Sequence, residues 1–450
     1  MPPAVAWGMG KRFRSDPLDQ ALLLPPSLHD WLPEGHLARF VADVMDELDL
    51  GEIYRSYAGD GRGLAAYQPA MMVRLLLYGY CLGMVSSRRL ERATYEDVAF
   101  RYLSADAHPD HDTIAAFRKR HREALAGLFV QALRLCEKAG LVKLGHVAIE
   151  GTQIKANASK HKAMSYDRRN ETEQRLRQEV EELLKRAEGT DAVEDAQYGK
   201  GKRGDELAEE LARRDSRLKK IREAKAAREQ EAQTGRKAGG HDPRVPDPEQ
   251  ARPEPKAQRN FTDPDSRIMV DGANKGSFIQ AYNVQAAVDS EAQVIVAAEI
   301  TQQANDSQQL IPMIGQVAAN LGRKPEAVSA DAGYWSEENV TDEHAAGIDL
   351  HIATGRHKHG EVEETATGPP PEHAAAKEVM RHKLRTEAGR AIYKMRKAIV
   401  EPVFGQIKER RGFRRFSFRG VGSVRLEWKL ICLTGNLRKL FRSGWSPQTA

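Results

Sequence analysis

The segment HVAIEGTQIKANASKH, residues 146–161, marks the point at which the character of the chain changes. A short apolar run ends at Glu150, and small, amide and basic side chains follow directly. Such a run is typical of a buried strand, and the residues after it suit an anion-binding loop. We therefore expect a carboxylate at the end of a strand, with Lys155, Asn157 and Lys160 beyond it as phosphate-binding groups.

Residues 18–142, which precede this strand, show repeated helical periodicity after an N-terminal tail of residues 1–17. The last helix, DTIAAFRKRHREALAGLFVQALRLCEKAGL, is predicted to begin after Asp112 or Thr113 and to end at Gly140. Its basic residues favour a DNA-binding face and a solvated face equally: Arg118, Lys119, Arg120 and Arg122. The pattern predicts a compact helical N-terminal domain.

Strands and helices alternate in the second half of the chain. SFIQAYNVQAAVD and QVIVAAEIT, joined by DSEA, predict a hairpin. NDSQQLIPMIGQVAANLG predicts a capped helix, AVSAD a short buried strand, SEENVTDEHAAG a helix and DLHIAT another strand. The fold class predicted is therefore α+β and multidomain, with a mixed α/β core formed by residues 143–170 and 261–445.

A charged insertion is predicted between the two parts of this core. Residues 171–232 contain two helical patterns with narrow apolar seams, which indicate an antiparallel coiled-coil hairpin. Residues 233–260 are rich in Gly, Pro and charge, and they are predicted to be a disordered linker.

Charge is distributed unevenly along the chain. The net charge is only +5, but residues 405–442 contain eleven Lys or Arg against two acids, with interleaved aromatic residues. This pattern suits a polyanion with stackable bases, and Arg414 and Arg415 are candidate phosphate contacts; the alternative is a solvated basic face. The three cysteines are far apart in apolar contexts, and the longest apolar stretch is too short to span a bilayer. We expect a cytoplasmic protein without a membrane partner.

Three carboxylates are candidates for metal chemistry. Glu150 and Asp331 end predicted strands, and Glu401 follows a long helical pattern. Acids at neighbouring strand ends can converge, and Mg²⁺ prefers such hard oxygen ligands. Taken singly, each acid is more typical of a surface charge. Pro402 predicts either a kink that aims Glu401 or a new helix that begins at Pro402.

Five segments together resemble a known family. AVSADAGYWSEEN, which contains Asp331, and IYKMRKAIVEPVFGQIKERRGFRRF resemble the insertion-sequence DDE transposases of bacteria. In the latter, Tyr393, Arg396, Glu401 and Lys408 are similar to the Tyr-Arg-Glu-Lys signature of that family, with one extra residue between Arg396 and Glu401. YQPAMMVRLLLYGYCLGMVSSRRLERA resembles their InsH-like N-terminal domain, and GTQIKANASKHKAMSY and NFTDPDSRIM also match in order.

The resemblance implies an RNase H-like core in which Glu150, Asp331 and Glu401 bind Mg²⁺ or Mn²⁺. It implies binding of double-stranded DNA at transposon ends and target, cleavage and strand transfer, and a homodimer in the synaptic complex. Arg396 and Lys408 would contact end phosphates, whereas core packing and a DNA contact are weighed equally for Tyr393. Because Glu150 replaces the usual Asp of the family, a disabled DNA-binding repressor stays open, as does a metal-dependent nuclease.

Overall fold

The computed structural model describes residues 27–57, 66–159, 163–198, 205–238, 258–272, 274, 276–355 and 364–447. The predicted tail of residues 1–17, the candidate Lys160 and residues 239–257 of the predicted linker lie outside these ranges.

Seven helices form the N-terminal part of the described chain. They are α1 (Leu37–Val44), α2 (Gly51–Arg55), α3 (Pro69–Cys81), α4 (Ser87–Glu96), α5 (Val98–Ser104), α6 (His111–Arg120) and α7 (Arg122–Lys138). The prediction of one helix after Asp112 or Thr113 is wrong, because Asp110 is the cap of α6 and the backbone leaves helical geometry at His121. The ring of His121 packs against Phe117 and Tyr57, which fixes the bend between α6 and α7.

Eight strands follow in the described ranges. They are β1 (His146–Lys155), β2 (Ala163–Ser165), β3 (Gln258–Asn260), β4 (Arg267–Val270), β5 (Phe278–Asp289), β6 (Ile295–Thr301), β7 (Ala327–Ala330) and β8 (Asp349–Ile352). In the main sheet, β5 pairs antiparallel with β1 along one edge, and with β4 and β6 along the other. β7 pairs parallel with β1, and β8 pairs parallel with β7. The predicted hairpin and mixed sheet are confirmed.

Helices cover this sheet. They are α10 (Leu310–Leu321), α11 (Glu337–Thr341), α12 (Ala376–Arg385), α13 (Glu387–Gly405) and α14 (Val421–Arg442). The new helix predicted to begin at Pro402 is wrong, because α13 continues through Pro402 and passes into a π-helical turn at Gln406–Arg410. The predicted kink that aims Glu401 stays a prediction. A proline cannot donate the hydrogen bond that residue 398 would accept. The side-chain amide of Gln293 donates to the Ala398 carbonyl instead, at 2.9 Å.

The helical N-terminal part and the sheet share one hydrophobic core. Helix α14 packs against α3, α7 and β6 and supplies the fully buried Trp428, whose indole nitrogen donates to the Gln285 carbonyl. Cys81, Cys136 and Cys432 are buried free thiols at this junction. The two predicted regions are therefore packed together.

The predicted insertion contains α8 (Tyr166–Tyr198) and α9 (Asp205–Ala238). Leu176 packs with Leu218 and Ile221, and Tyr166 bonds to Glu229, so the two helices run antiparallel. The predicted disordered linker is wrong at both ends, because α9 continues to Ala238 and β3 begins at residue 258. Among the described helices, none is long and apolar enough to cross a membrane.

Candidate active site

The parallel pairing of β1 and β7 brings two of the predicted carboxylates to one edge of the sheet. Ile149 is in register with Ala330, and the next residue on each strand is Glu150 or Asp331. The Asp331 carboxylate accepts from the Gly333 backbone amide at 2.9 Å, and a short 3₁₀ turn follows. The structure therefore places Glu150 and Asp331 side by side, as expected for acids at neighbouring strand ends.

Arg396 of α13 reaches this edge and forms an ion pair with Glu150. The guanidinium lies 5.7 Å from the centre of the Tyr393 ring, so Tyr393 also belongs to the site. Burial raises the pKa of Glu150 to about 7; Arg396 opposes the rise and the nearby Asp331 adds to it. Burial is the main cause, and the neighbouring carboxylate adds to it, so Glu150 is difficult to ionise in spite of its cationic partner.

Asp306 is a third carboxylate at this edge, and the sequence analysis missed it. Asn283 and Gln285 of β5 donate to its Oδ1 at 2.7 and 2.6 Å. Burial raises the pKa of Asp306; the two amide donors lower it, and Asp331 raises it further. A side-chain carbon at Gly151 would lie 2.5 Å from both Asp306 and Gln285, so this close packing requires glycine.

The signal for Asp306 was present in the sequence but was interpreted otherwise. NDSQQL predicts the capped start of a helix, whereas α10 begins at Leu310 and Asp306 points back to the sheet. Asn283 and Gln285 stand two apart on a buried strand, and Tyr334 donates a hydrogen bond to Gln285. Two amides on the same face of a buried strand require polar partners, which indicates a polar site beside that face.

Glu401 is exposed on α13, five residues after Arg396 and therefore about 140° around the helix from it. Within the described residues, no group of three or more His, Cys, Asp or Glu side chains is arranged to hold a metal ion. Glu150 and Asp331 are thus together, but the predicted triad with Glu401 is not assembled in this state, and the role of Glu401 stays a prediction.

A cleft of about 560 Å³ begins beside these carboxylates, and among the described residues its charged lining consists of three cations and three carboxylates: Lys155, Lys408, Arg414, Asp271, Asp306 and Glu409. Lys408 lines it and donates to the Thr152 hydroxyl at 2.5 Å. Arg414 also lines it and is paired with Glu409. Burial lowers the pKa of Lys408, and Arg414 lowers it further, as expected where cations are held close together.

The chain after Arg414 extends this cleft along β1. Lys155 donates to the Arg414 carbonyl at 3.2 Å and accepts from the Phe416 amide at 2.8 Å, so Arg415 lies beside the end of the strand. The side-chain amide of Asn157 donates to the Ser417 carbonyl at 2.7 Å. Asn157 therefore anchors this loop, while the side chains of Lys155 and Arg415 are available at the surface.

Several other basic and aromatic residues have structural partners. Arg118 is buried, donates to the Val85 carbonyl at 2.6 Å and lies over the Phe418 ring; Arg122 donates to Ser423 at 3.0 Å. In residues 405–442, three of the five aromatic side chains are buried: Phe413, Phe416 and Trp428. The prediction that aromatic residues interleaved in this segment stack on bases is wrong for these three, because each is part of the core.

Two family models match the chain. A transposase domain family (DUF772) matches residues 26–120, and a transposase DDE domain matches residues 363–441. The second match includes Tyr393, Arg396, Glu401 and Lys408, while Glu150 and Asp331 lie outside both matches. No curated protein and no solved structure matches the chain. Both transposase matches in one chain, in this order, support an insertion-sequence DDE transposase.

Proposed function

We propose that this transposase binds the ends of its insertion sequence, cuts the DNA there and joins the freed ends to target DNA. The observation that carries the proposal is the pairing of Glu150 and Asp331 on adjacent parallel strands, beside a cleft to which Lys155, Lys408 and Arg414 contribute cations among three carboxylates. Three antiparallel strands, β6, β5 and β1, followed by the parallel strands β7 and β8, also support an RNase H-like core.

The donor chemistry of the site fits a divalent cation. Glu150, Asp331 and Asp306 offer hard carboxylate oxygens, and a bound cation would stabilise the charged form of Glu150, which burial and the neighbouring carboxylates disfavour. Glu150 and Asp331 would hold Mg²⁺ or Mn²⁺, and Glu401 would join them. When bound, such ions stabilise the charge on the attacking and leaving oxygens of a phosphodiester.

Arg396 has two roles in this proposal. In the DNA-free protein it neutralises Glu150. When DNA arrives, a phosphate offers the guanidinium a bidentate partner, and Glu150 is released to take part in the reaction. Tyr393, against the Arg396 side chain, limits the directions in which the guanidinium can turn.

The cations along the cleft position the DNA backbone. Lys408 and Arg414 lie next to the carboxylates, and Lys155 and Arg415 continue the surface beyond them. Such side chains fix the register of a duplex without reading its sequence. Joining two ends of one element requires two such surfaces, which supports a homodimer in the synaptic complex.

The experiment is to incubate the purified protein with duplex DNA from the ends of its element, with Mg²⁺ and separately with EDTA. The proposal predicts a nicked strand and joined product with Mg²⁺, and binding alone with EDTA. Cleavage without joining would instead indicate a metal-dependent nuclease.

A disabled, DNA-binding repressor is the second candidate. The occupation of Glu150 by Arg396, and the exposed position of Glu401, are the observations that favour it. In that case the protein binds the element ends both with Mg²⁺ and with EDTA, and it cleaves them in neither condition.

A further inference from the structure

Phe278, the first residue of β5, is an unusually exposed aromatic side chain in a polar setting. The residue is 53% exposed. It lines a second cleft of about 740 Å³, a volume within the range of roughly 300–1,000 Å³ that holds small ligands. Most of the described residues that line the cleft are polar or charged, and its other apolar members are Ala156, Ala158 and Ile279.

Charge makes this cleft attractive to an anion. Its cations are Lys155, Arg415 and Arg419, and Arg419 is held in place by a 2.9 Å bond from its Nε to the Asn157 carbonyl. Among the described residues that line it, the only carboxylate is Asp271, which lies 3.9 Å from the ammonium of Lys155. An exposed aromatic ring among cations is the arrangement with which proteins bind single-stranded nucleic acid.

The Phe278 cleft is continuous with the candidate active site. Lys155, Asp271 and Ile279 line both this cleft and the one that contains Asp306 and Lys408. A DNA strand that passes the carboxylates can therefore continue over Arg415 to the ring of Phe278.

We propose that Phe278 stacks against an unpaired base of the DNA end, while Arg415 and Arg419 hold the adjoining phosphates. Inside a duplex each base is stacked on its neighbours and paired, so its face is not available to a protein ring. The ligand is therefore an unpaired nucleotide near the cleavage position. This inference rests on the proposed function, since it takes the DNA end as the substrate.

The test uses the full chain and two DNAs from the element end. One is a blunt duplex, and the other carries a short single-stranded overhang with 2-aminopurine at its first unpaired position. Stacking on Phe278 is expected to change the 2-aminopurine fluorescence on binding. The Phe278→Ala variant is expected to lose this change and to bind the overhang DNA roughly 5- to 100-fold more weakly. Its affinity for the blunt duplex is expected to stay within about twofold.

The Phe278→Trp variant should retain the fluorescence change that Phe278→Ala loses, because indole offers a larger ring for stacking. Val270→Ala is the matched control: Val270 is the register partner of Phe278 and is equally exposed, at 53%, but is not among the residues lining the cleft. Thermal unfolding of each variant reports whether the sheet is intact.

Two results would overturn the inference, and only the second of them would also contradict the proposed function. If the unaltered protein binds both DNAs, and Phe278→Ala shows the same fluorescence change and the same affinity as the unaltered protein, Phe278 stacks no base. The proposed function then still stands. If the unaltered protein binds neither DNA, the proposed function and this inference are both wrong.

Discussion

Two regions of this molecule that hold a buried or partly buried charge have opposite surroundings. At the junction between α3 and α14, Arg411 is buried, and its terminal nitrogens donate to the carbonyls of Ile431 and Tyr80 at 2.9 and 3.0 Å and to Thr434. Beside β1 and β7, Glu150 has one cationic partner and two nearby carboxylates, Asp331 and Asp306. Partners supplied by the backbone indicate a structural charge, whereas crowded like charges indicate chemistry.

The largest expected effect concerns the crowded carboxylates. Asp331→Ala and Glu401→Ala should each abolish cleavage of element ends, a loss of at least about 100-fold, because metal ligands are removed. Binding of the ends in a gel-shift assay should survive, because the cations of the cleft are unchanged. Glu338→Ala, an exposed acid on α11, is the control. Normal turnover by Glu401→Ala would show that Glu401 stays exposed during the reaction and is not a metal ligand.

A pair of arginine variants separates structural from DNA-binding cations. Arg411→Ala leaves buried carbonyls without donors, and we expect a loss of about 2–4 kcal/mol in the free energy of unfolding, with an unchanged salt dependence of DNA binding. Arg415→Ala should change stability by less than about 0.5 kcal/mol and flatten the log–log salt dependence by about 0.9. Thermal unfolding and titrations at several salt concentrations measure both. The reverse outcome would mean that the two arginines had been assigned the wrong way round.

Asp306 tests whether a carboxylate outside the predicted triad serves the reaction. In Asp306→Asn the charge beside Asp331 is lost, and the amide donors of Asn283 and Gln285 face a side-chain amide in place of a carboxylate. We expect about a 10- to 100-fold loss of cleavage and a higher Mg²⁺ requirement, as for groups that orient metal ligands. The neighbouring Asn305→Ala, on an exposed residue, should cleave normally. If Asp306→Asn and Asn305→Ala show the same Mg²⁺ dependence of cleavage, Asp306 contributes to packing and not to the reaction.

A smaller effect is the pH dependence that Glu150 contributes to stability. Its pKa of about 7 in the folded protein lies above the ordinary value of 4.5, because burial disfavours the charged form. The folded state therefore binds this proton more tightly than the unfolded state, and stability falls as pH rises from about 4.5 through 7. Without divalent ions, Glu150→Gln should remove about 1–3 kcal/mol of this decline. Melting curves of both proteins at pH 5 and pH 8 measure this difference. An equal loss of stability between the two pH values in both proteins would contradict the prediction.

Local patterns predicted most of the sheet, since the hairpin of β5 and β6, the short β7 and β8 and the position of Glu150 all follow from alternation and apolar runs. Asp306 was missed because its partners, Asn283 and Gln285, lie more than twenty residues away in sequence. The continuation of α13 through Pro402 was missed because the compensating donor, Gln293, belongs to a hairpin about a hundred residues upstream. The prediction for the aromatic residues of 405–442 was wrong for Phe413, Phe416 and Trp428, because a basic sequence does not show which side chains the rest of the fold covers.

The central claim is that Glu150 and Asp331 are working catalytic ligands in this chain. The most direct measurement is Mg²⁺-dependent nicking of element-end DNA by the natural protein, Glu150→Gln and Glu150→Asp, with end binding measured alongside. The account predicts nicking by the natural protein, and its loss in Glu150→Gln, which keeps the length of the side chain and removes its charge. If the natural protein binds its ends and cuts nothing, while Glu150→Asp cuts them, this chain is a disabled transposase and the claim is wrong.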